Sequence, residues 1–79
     1  MYTSKHALKA LKFLGLDINN FNFNINDLVN GMNIEREHIY NKKSLINIKG
    51  IRYILACKIA LAHLLEKPNY YKLLKKYIE

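Results

Sequence analysis

Two short patterns of glutamate and histidine could carry chemistry in this sequence. Glu35 and His38 lie three residues apart, as do His63 and Glu66, so in a helix each pair projects from one face. Carboxylate and imidazole groups on facing helices are the ligand types of metal sites in helical bundles. The candidate polar network, either structural or metal-binding, comprises Glu35, Glu37, His38, His63, Glu66 and Tyr70.

A structural network explains this pattern more simply than a metal site does. A buried imidazole needs hydrogen-bond partners, and a nearby carboxylate supplies one. A full metal site would need two further carboxylates on other helices. The remaining acids are Asp17, Asp27, Glu37 and Glu79, and none of them falls inside a facing apolar stripe. We therefore favour the structural network, predict no cofactor and no enzymatic activity, and keep a metal site and a general acid–base role as alternatives.

The second candidate is a basic surface. The net charge is +7, and the basic residues concentrate at the two ends of the chain while the middle is acidic. Such a surface attracts phosphate backbones without sequence-specific contacts, but we favour the simpler explanation that it is a solvated lysine-rich face. The candidate contacts for a partner or a nucleic acid are Lys42, Lys43, Lys49, Arg52, Lys72, Lys75 and Lys76. The tyrosines that could stack on bases, if exposed, are Tyr2, Tyr40, Tyr53 and Tyr71.

Length and composition limit the classes of protein that remain. The chain has 79 residues, which predicts a single helical domain over residues 1–79. Its one cysteine, Cys57, excludes an internal disulfide and favours an intracellular setting. The longest apolar stretch, residues 54–65, is shorter than the ~20 residues that span a bilayer, so we predict no membrane segment.

Apolar residues recurring at a helical period predict an all-α fold. The first predicted helix starts after Thr3 or Ser4 and ends before Gly15, and the second runs from Asn24, as its cap, to Tyr40. Helices over residues 51–67 and 68–78 follow a basic loop at residues 41–50. The apolar residues expected to pack on the first helix are Ala7, Leu8, Leu11 and Leu14.

The helix over residues 51–67 is apolar around almost its whole circumference, interrupted mainly by Lys58, His63 and Glu66. Such a helix is usually the buried centre of a domain. We therefore predict a compact bundle of three longer helices and a short C-terminal helix, with residues 51–67 at the centre. Gly31, inside the second helix, is predicted to permit a close helix crossing.

Three segments carry a family resemblance over nearly the whole chain. Residues 14–17 read Leu-Gly-Leu-Asp, residues 31–38 read Gly-Met-Asn-Ile-Glu-Arg-Glu-His, and residues 58–71 read Lys-Ile-Ala-Leu-Ala-His-Leu-Leu-Glu-Lys-Pro-Asn-Tyr-Tyr. The chain thereby resembles a small uncharacterised domain family of bacteria, phages and large DNA viruses. The resemblance implies no activity. Where that family has an acidic loop, residues 41–50 are basic and apolar, which argues against a metal site here.

The function that the sequence favours is that of a small helical binding module of viral or phage type. It would act through its surface on a protein partner, in the host cytoplasm or the virion. Association with nucleic acid through the basic surface is the first alternative. A metal-dependent activity that uses the glutamate and histidine cluster is the second. The sequence does not specify an oligomeric state.

Overall fold

The fold is all-α, as predicted. A computed structural model of the chain describes the backbone of residues 1–41 and 52–78 and the side chains of residues 1–38 and 52–74. Within these ranges there is no strand. The helices are α1 (Ser4–Leu14), α2 (Ile25–Asn41), α3 (Arg52–Glu66) and α4 (Tyr70–Ile78), with a short 3-10 turn at Ile18–Asn20. Three longer helices and a short C-terminal one are therefore confirmed.

Local side-chain chemistry sets the helix ends. Gly15 ends α1 in the left-handed region, with a φ of 72°, which costs glycine little because it has no Cβ. At the start of α2, the Asn24 side-chain oxygen accepts the Asp27 N–H at 2.9 Å, and the Asp27 carboxylate accepts the Asn24 N–H at 3.1 Å. Asp17 caps the 3-10 turn by accepting the Asn19 N–H at 2.9 Å. The bonds between Asn24 and Asp27 are reciprocal, and all three bonds satisfy amides that have no partner inside a helix.

The helices α2 and α3 share the centre of the bundle, because each packs against the other three helices. Helix α3 packs against α1, α2 and α4, and its most extensive neighbour is α2. Its buried residues are Ala56, Cys57, Ala60, Leu61 and Leu64. The strip formed by Lys58, Ala62, Leu65 and Glu66 is exposed, so the central helix still presents one edge to water.

The buried face of α1 is narrower than the sequence predicts. Ala7, Ala10 and Leu11 are buried, and Leu14 is half-buried. Leu8, which we expected in the core, is exposed instead. The reason is geometric, because Leu8 lies about 100° around the helix from Ala7 and so leaves the face that meets α2 and α3.

Part of the predicted basic loop belongs to α2, since that helix continues to Asn41. Residues 42–51 lie outside the described residues, and with them lie Lys42, Lys43 and Lys49. Across the ranges that the structure describes, no helix has both the length and the apolar character needed to cross a membrane.

Candidate functional site

The side chain of Glu35 is the centre of a polar cluster that joins three helices. Glu35 faces the core from the middle of α2 and is only 5% exposed. Burying a carboxylate is costly unless it is hydrogen-bonded or paired. Its neighbours come from α2, α3 and α4, and they are His38, His63 and Tyr71.

The Tyr71 hydroxyl makes the shortest contact of the cluster. It donates to Glu35 Oε2 at 2.6 Å, and both side chains are buried. His38 Nδ1 lies 3.2 Å from Glu35 Oε1, so the two carboxylate oxygens have different partners. His63 Nε2 lies 3.8 Å from Oε2, which is too long for a hydrogen bond and is an ion pair only when the imidazole is protonated. The carboxylate therefore links α2 directly to α4 and, more weakly, to α3.

Gly31 makes room for the tyrosine. It lies one turn before Glu35 on the same side of α2. A Cβ at Gly31 would lie 2.8 Å from Tyr71 Cδ2, 2.9 Å from Cζ, and closer still to Cε2. The Tyr71 ring thus lies directly on the α2 backbone, so Gly31 accommodates a side chain here, whereas the sequence predicted a close crossing of helices.

The ring of Tyr70 stacks on the imidazole of His63. The rings of His63 and Tyr70 are nearly parallel, with centroids 4.3 Å apart and an angle of 5° between their planes. Tyr70 meets Tyr71 edge to face at 4.9 Å. Aromatic pairs at these separations contribute beyond the area that they bury. The Tyr70 ring therefore fixes the orientation of the His63 imidazole. It also packs the turn between α3 and α4 against the cluster.

The central interaction of the cluster is the hydrogen bond from the Tyr71 hydroxyl to the Glu35 carboxylate. Burial raises the pKa of the Tyr71 hydroxyl far above its ordinary value of 10.0, and the Glu35 carboxylate that it bonds raises it further. The hydroxyl therefore stays protonated at neutral pH and serves as a donor to the carboxylate. This arrangement fastens α4 to α2.

The structure brings four of the predicted site residues together, namely Glu35, His38, His63 and Tyr70. Glu37 and Glu66 are exposed, and among the described residues neither forms a hydrogen bond or ion pair with this cluster. Sequence reasoning assigned Tyr71 to base stacking on the condition that it was exposed, but it is 2% exposed and belongs to the cluster. The sequence feature that could have indicated a ring packed beside Glu35 is Gly31, one turn before it.

A metal centre finds no support in the side chains that the structure places. Over the described part of the chain, no three His, Cys, Asp or Glu side chains are arranged to hold a metal ion. The buried carboxylate instead receives a hydroxyl donor, which supplies the hydrogen bond that a buried anion needs.

Of the predicted basic contacts, the structure places two side chains. Lys72 Nζ of α4 lies 3.5 Å from Asp27 Oδ1 of α2, which forms an ion pair between the two helices with an exposed lysine side chain. Arg52 is half-buried at the first residue of α3. The side chains of Lys75 and Lys76 lie outside the described ones, like the lysines of residues 42–51.

Two buried, weakly acidic groups, the Cys57 thiol and the Tyr71 hydroxyl, predict a loss of stability at alkaline pH. Burial raises the pKa of the Cys57 thiol from 9.0 to about 11, and the pKa of Tyr71 is raised above 10.0. Both groups ionise more readily in the unfolded chain, so their contribution is complete below about pH 9. The free energy of unfolding falls as pH rises. Cys57 contributes the loss between about pH 9 and 11, and Tyr71 contributes the loss above about pH 10. Each group lowers the free energy of unfolding by up to about 1.4 kcal/mol per pH unit.

Urea unfolding between about pH 8 and 11 measures this loss. The variants Cys57→Ala and Tyr71→Phe should each show a shallower decline than the parent chain. An unchanged decline in both variants would contradict the assignment to these two groups.

Comparison with known proteins identifies the family and no relative of established function. The family model described as "Protein of unknown function (DUF5661)" matches residues 7–79. Neither the curated proteins nor the solved structures contain a match to the chain. The matched segment includes α2, α3 and α4 complete, and with them every residue of the Glu35 cluster. The chain is therefore a member of the DUF5661 family of proteins of unknown function.

Proposed function

We propose that this chain is a small helical binding module of viral or phage type that acts through its surface on a protein partner inside the cell or virion. The viral or phage origin rests on the family resemblance of the three sequence segments and on a bias toward Asn, Ile and Lys, with ten, ten and eleven copies. AT-rich codons encode these three residues.

The observation that carries the proposal is a pair of exposed, large apolar side chains on α1. Phe13 is 72% exposed and Leu8 is 51% exposed. Large apolar side chains on a charged helix are candidates for burial against another surface, and aromatic residues are enriched at interfaces. Removing a phenylalanine side chain from water contributes about 2–3 kcal/mol, enough to act as an anchor.

The charges beside these residues indicate the chemistry of the partner. Lys5 and Lys12 are exposed on α1, and by the helical period they lie between Leu8 and Phe13 around the axis. A surface with this pattern complements a segment that combines carboxylates with apolar side chains. A second copy of the chain fits less well, because each copy carries a net charge of +7.

Binding of designed peptides tests the proposal. An acidic peptide that alternates Glu with Leu and Phe should bind the labelled chain in a fluorescence anisotropy titration, whereas a version with Lys in place of Glu should not. The variant Phe13→Ser should weaken binding by about 10- to 30-fold.

The matched control is Leu65→Ser, which also removes a large exposed side chain, 63% exposed, but from α3. It should leave the affinity within about twofold, as expected for a residue outside the interface. Equal losses in the two variants, or equal binding of the acidic and basic peptides, would contradict the proposal.

A further inference from the structure

The first residues of the chain are fastened to α2 by a pair of hydrogen bonds. The Tyr2 N–H donates to the Asn33 side-chain oxygen at 2.7 Å, and the Asn33 amide nitrogen donates to the Tyr2 carbonyl at 3.0 Å. This two-point contact fixes the backbone of Tyr2 beside α2. The side chain of Tyr2 is therefore held at a defined place on the surface.

Three rings form a row from that point across α1 to α3. The centroids of Tyr2 and His6 lie 5.4 Å apart, and those of His6 and Tyr53 lie 6.2 Å apart. His6 is exposed, and the two tyrosines are half-buried. The Thr3 N–H donates to His6 Nδ1 at 3.1 Å, which orients the middle ring.

A cation lies at each end of the row. The guanidinium carbon of Arg36 is 6.0 Å from the Tyr2 centroid, and the Lys9 ammonium is 5.9 Å from the Tyr53 centroid. We call Tyr2, His6 and Tyr53, with Lys9 and Arg36, the basic aromatic row. Two of its residues come from α1, one comes from α2, one from α3 and one from the segment before α1. Packing of the helices therefore brings the row together.

The two carboxylates that lie against α4 are on the other flank of α2. Asp27 pairs with Lys72, and Glu35 bonds to Tyr71, both on the flank that faces α4. By the helical period, Asn33 and Arg36 project from the opposite flank. The basic charge of the row is thus separated from these acids by the body of the helix.

We propose that the basic aromatic row binds single-stranded nucleic acid. Bases stack on aromatic rings whatever their sequence, and phosphates are attracted to lysine and arginine, so a row of rings with a cation at each end suits an unpaired strand. In a duplex the bases are already stacked on each other, which leaves only the phosphate contacts. The row therefore favours single strands, with little sequence preference.

The test is fluorescence anisotropy with a labelled oligothymidylate of about 12 nucleotides, titrated at several salt concentrations. Tyr53→Leu, which keeps an apolar side chain in place, should weaken binding by about tenfold, as should His6→Leu at an exposed position of α1. Lys9→Ala should reduce the steepness of the logarithmic salt dependence by about 0.7, the value of one phosphate contact to a single strand.

The matched control for Lys9→Ala is Lys67→Ala, because Lys67 is also an exposed lysine. It follows Tyr53 by 14 positions, roughly 20 Å along the helical direction and beyond the Debye length of physiological salt. Lys67→Ala should leave the affinity within about twofold. Thermal unfolding of every variant distinguishes lost binding from lost folding.

Four results would overturn the inference. These are no oligothymidylate binding at low salt, equal losses from Lys9→Ala and Lys67→Ala, full affinity in folded Tyr53→Leu and His6→Leu variants, and equal affinity for a duplex of the same length. If these two ring variants weakened the acidic peptide and not the oligonucleotide, the row would belong to a protein interface.

Discussion

Tyr71→Ala is expected to be among the most damaging single substitutions in this protein, lowering the free energy of unfolding by about 3–5 kcal/mol. The side chain is 2% exposed, so its removal leaves a cavity between α2 and α4. It also removes the donor at 2.6 Å from the buried Glu35 carboxylate. A small domain has about 5 kcal/mol of stability or little more, so this variant should be largely unfolded at room temperature.

Tyr71→Phe separates the two contributions, because it keeps the ring and removes only the hydroxyl. Loss of a hydrogen bond to a charged group should cost about 1.5–3 kcal/mol. Urea unfolding followed by circular dichroism measures both variants. Equal stabilities of the phenylalanine variant and the parent chain would show that the hydroxyl contributes nothing to the attachment of α4.

Gly31→Ala is the second substitution with a large expected effect, and its sign is informative. Alanine favours a helix interior over glycine by about 1 kcal/mol. Here the added Cβ would lie within 3.0 Å of three atoms of the Tyr71 ring, and such overpacking costs about 1–3 kcal/mol or more. We therefore expect a net loss of stability, whereas Asn30→Ala, at the exposed neighbouring position, should be neutral or slightly stabilising.

The effect of Gly31→Ala should reverse when the ring is absent. In a Tyr71→Ala background, held folded by an osmolyte such as trimethylamine oxide, the same change should stabilise by about 1 kcal/mol. A loss of stability in both backgrounds would place the cause elsewhere than the Tyr71 ring.

The helix ends could be predicted from the sequence because their causes are local. Asn24 and Asp27 satisfy each other's amides across three residues, and Gly15 supplies the left-handed residue that ends α1. Short-range rules of capping describe such contacts fully. Leu8 shows the limit of periodicity, since the pattern does not fix how wide a helix face the neighbouring helices cover.

The cluster itself was only partly predictable, because its central bond is not local. Spacing within a helix identified Glu35 with His38, and that contact is present at 3.2 Å. Glu35 and Tyr71 are 36 positions apart, and no periodicity within one helix relates residues at that separation. Their pairing depends on how α4 packs on α2, which the sequence pattern does not specify.

The same limit applies to His63. Its spacing suggested Glu66 as a partner, but the carboxylate nearest to it in the cluster is that of Glu35, at 3.8 Å. Glu66 is exposed at the end of α3. Burial explains why His63 lies near Glu35 and not Glu66. A buried carboxylate needs polar partners from the protein, whereas an exposed carboxylate is hydrogen-bonded by water.

A double-mutant cycle between Glu35 and Tyr71 tests most directly the claim that this pair fastens α4 to α2. The variants are Glu35→Met, Tyr71→Phe and their combination, each followed by urea unfolding. Either single change leaves a buried polar group without its partner, and the double change removes both groups. Fastening of α4 by this pair predicts that the double variant loses at least about 1 kcal/mol less than the sum of the single losses. Additive losses, with a coupling within about 0.3 kcal/mol of zero, would contradict it.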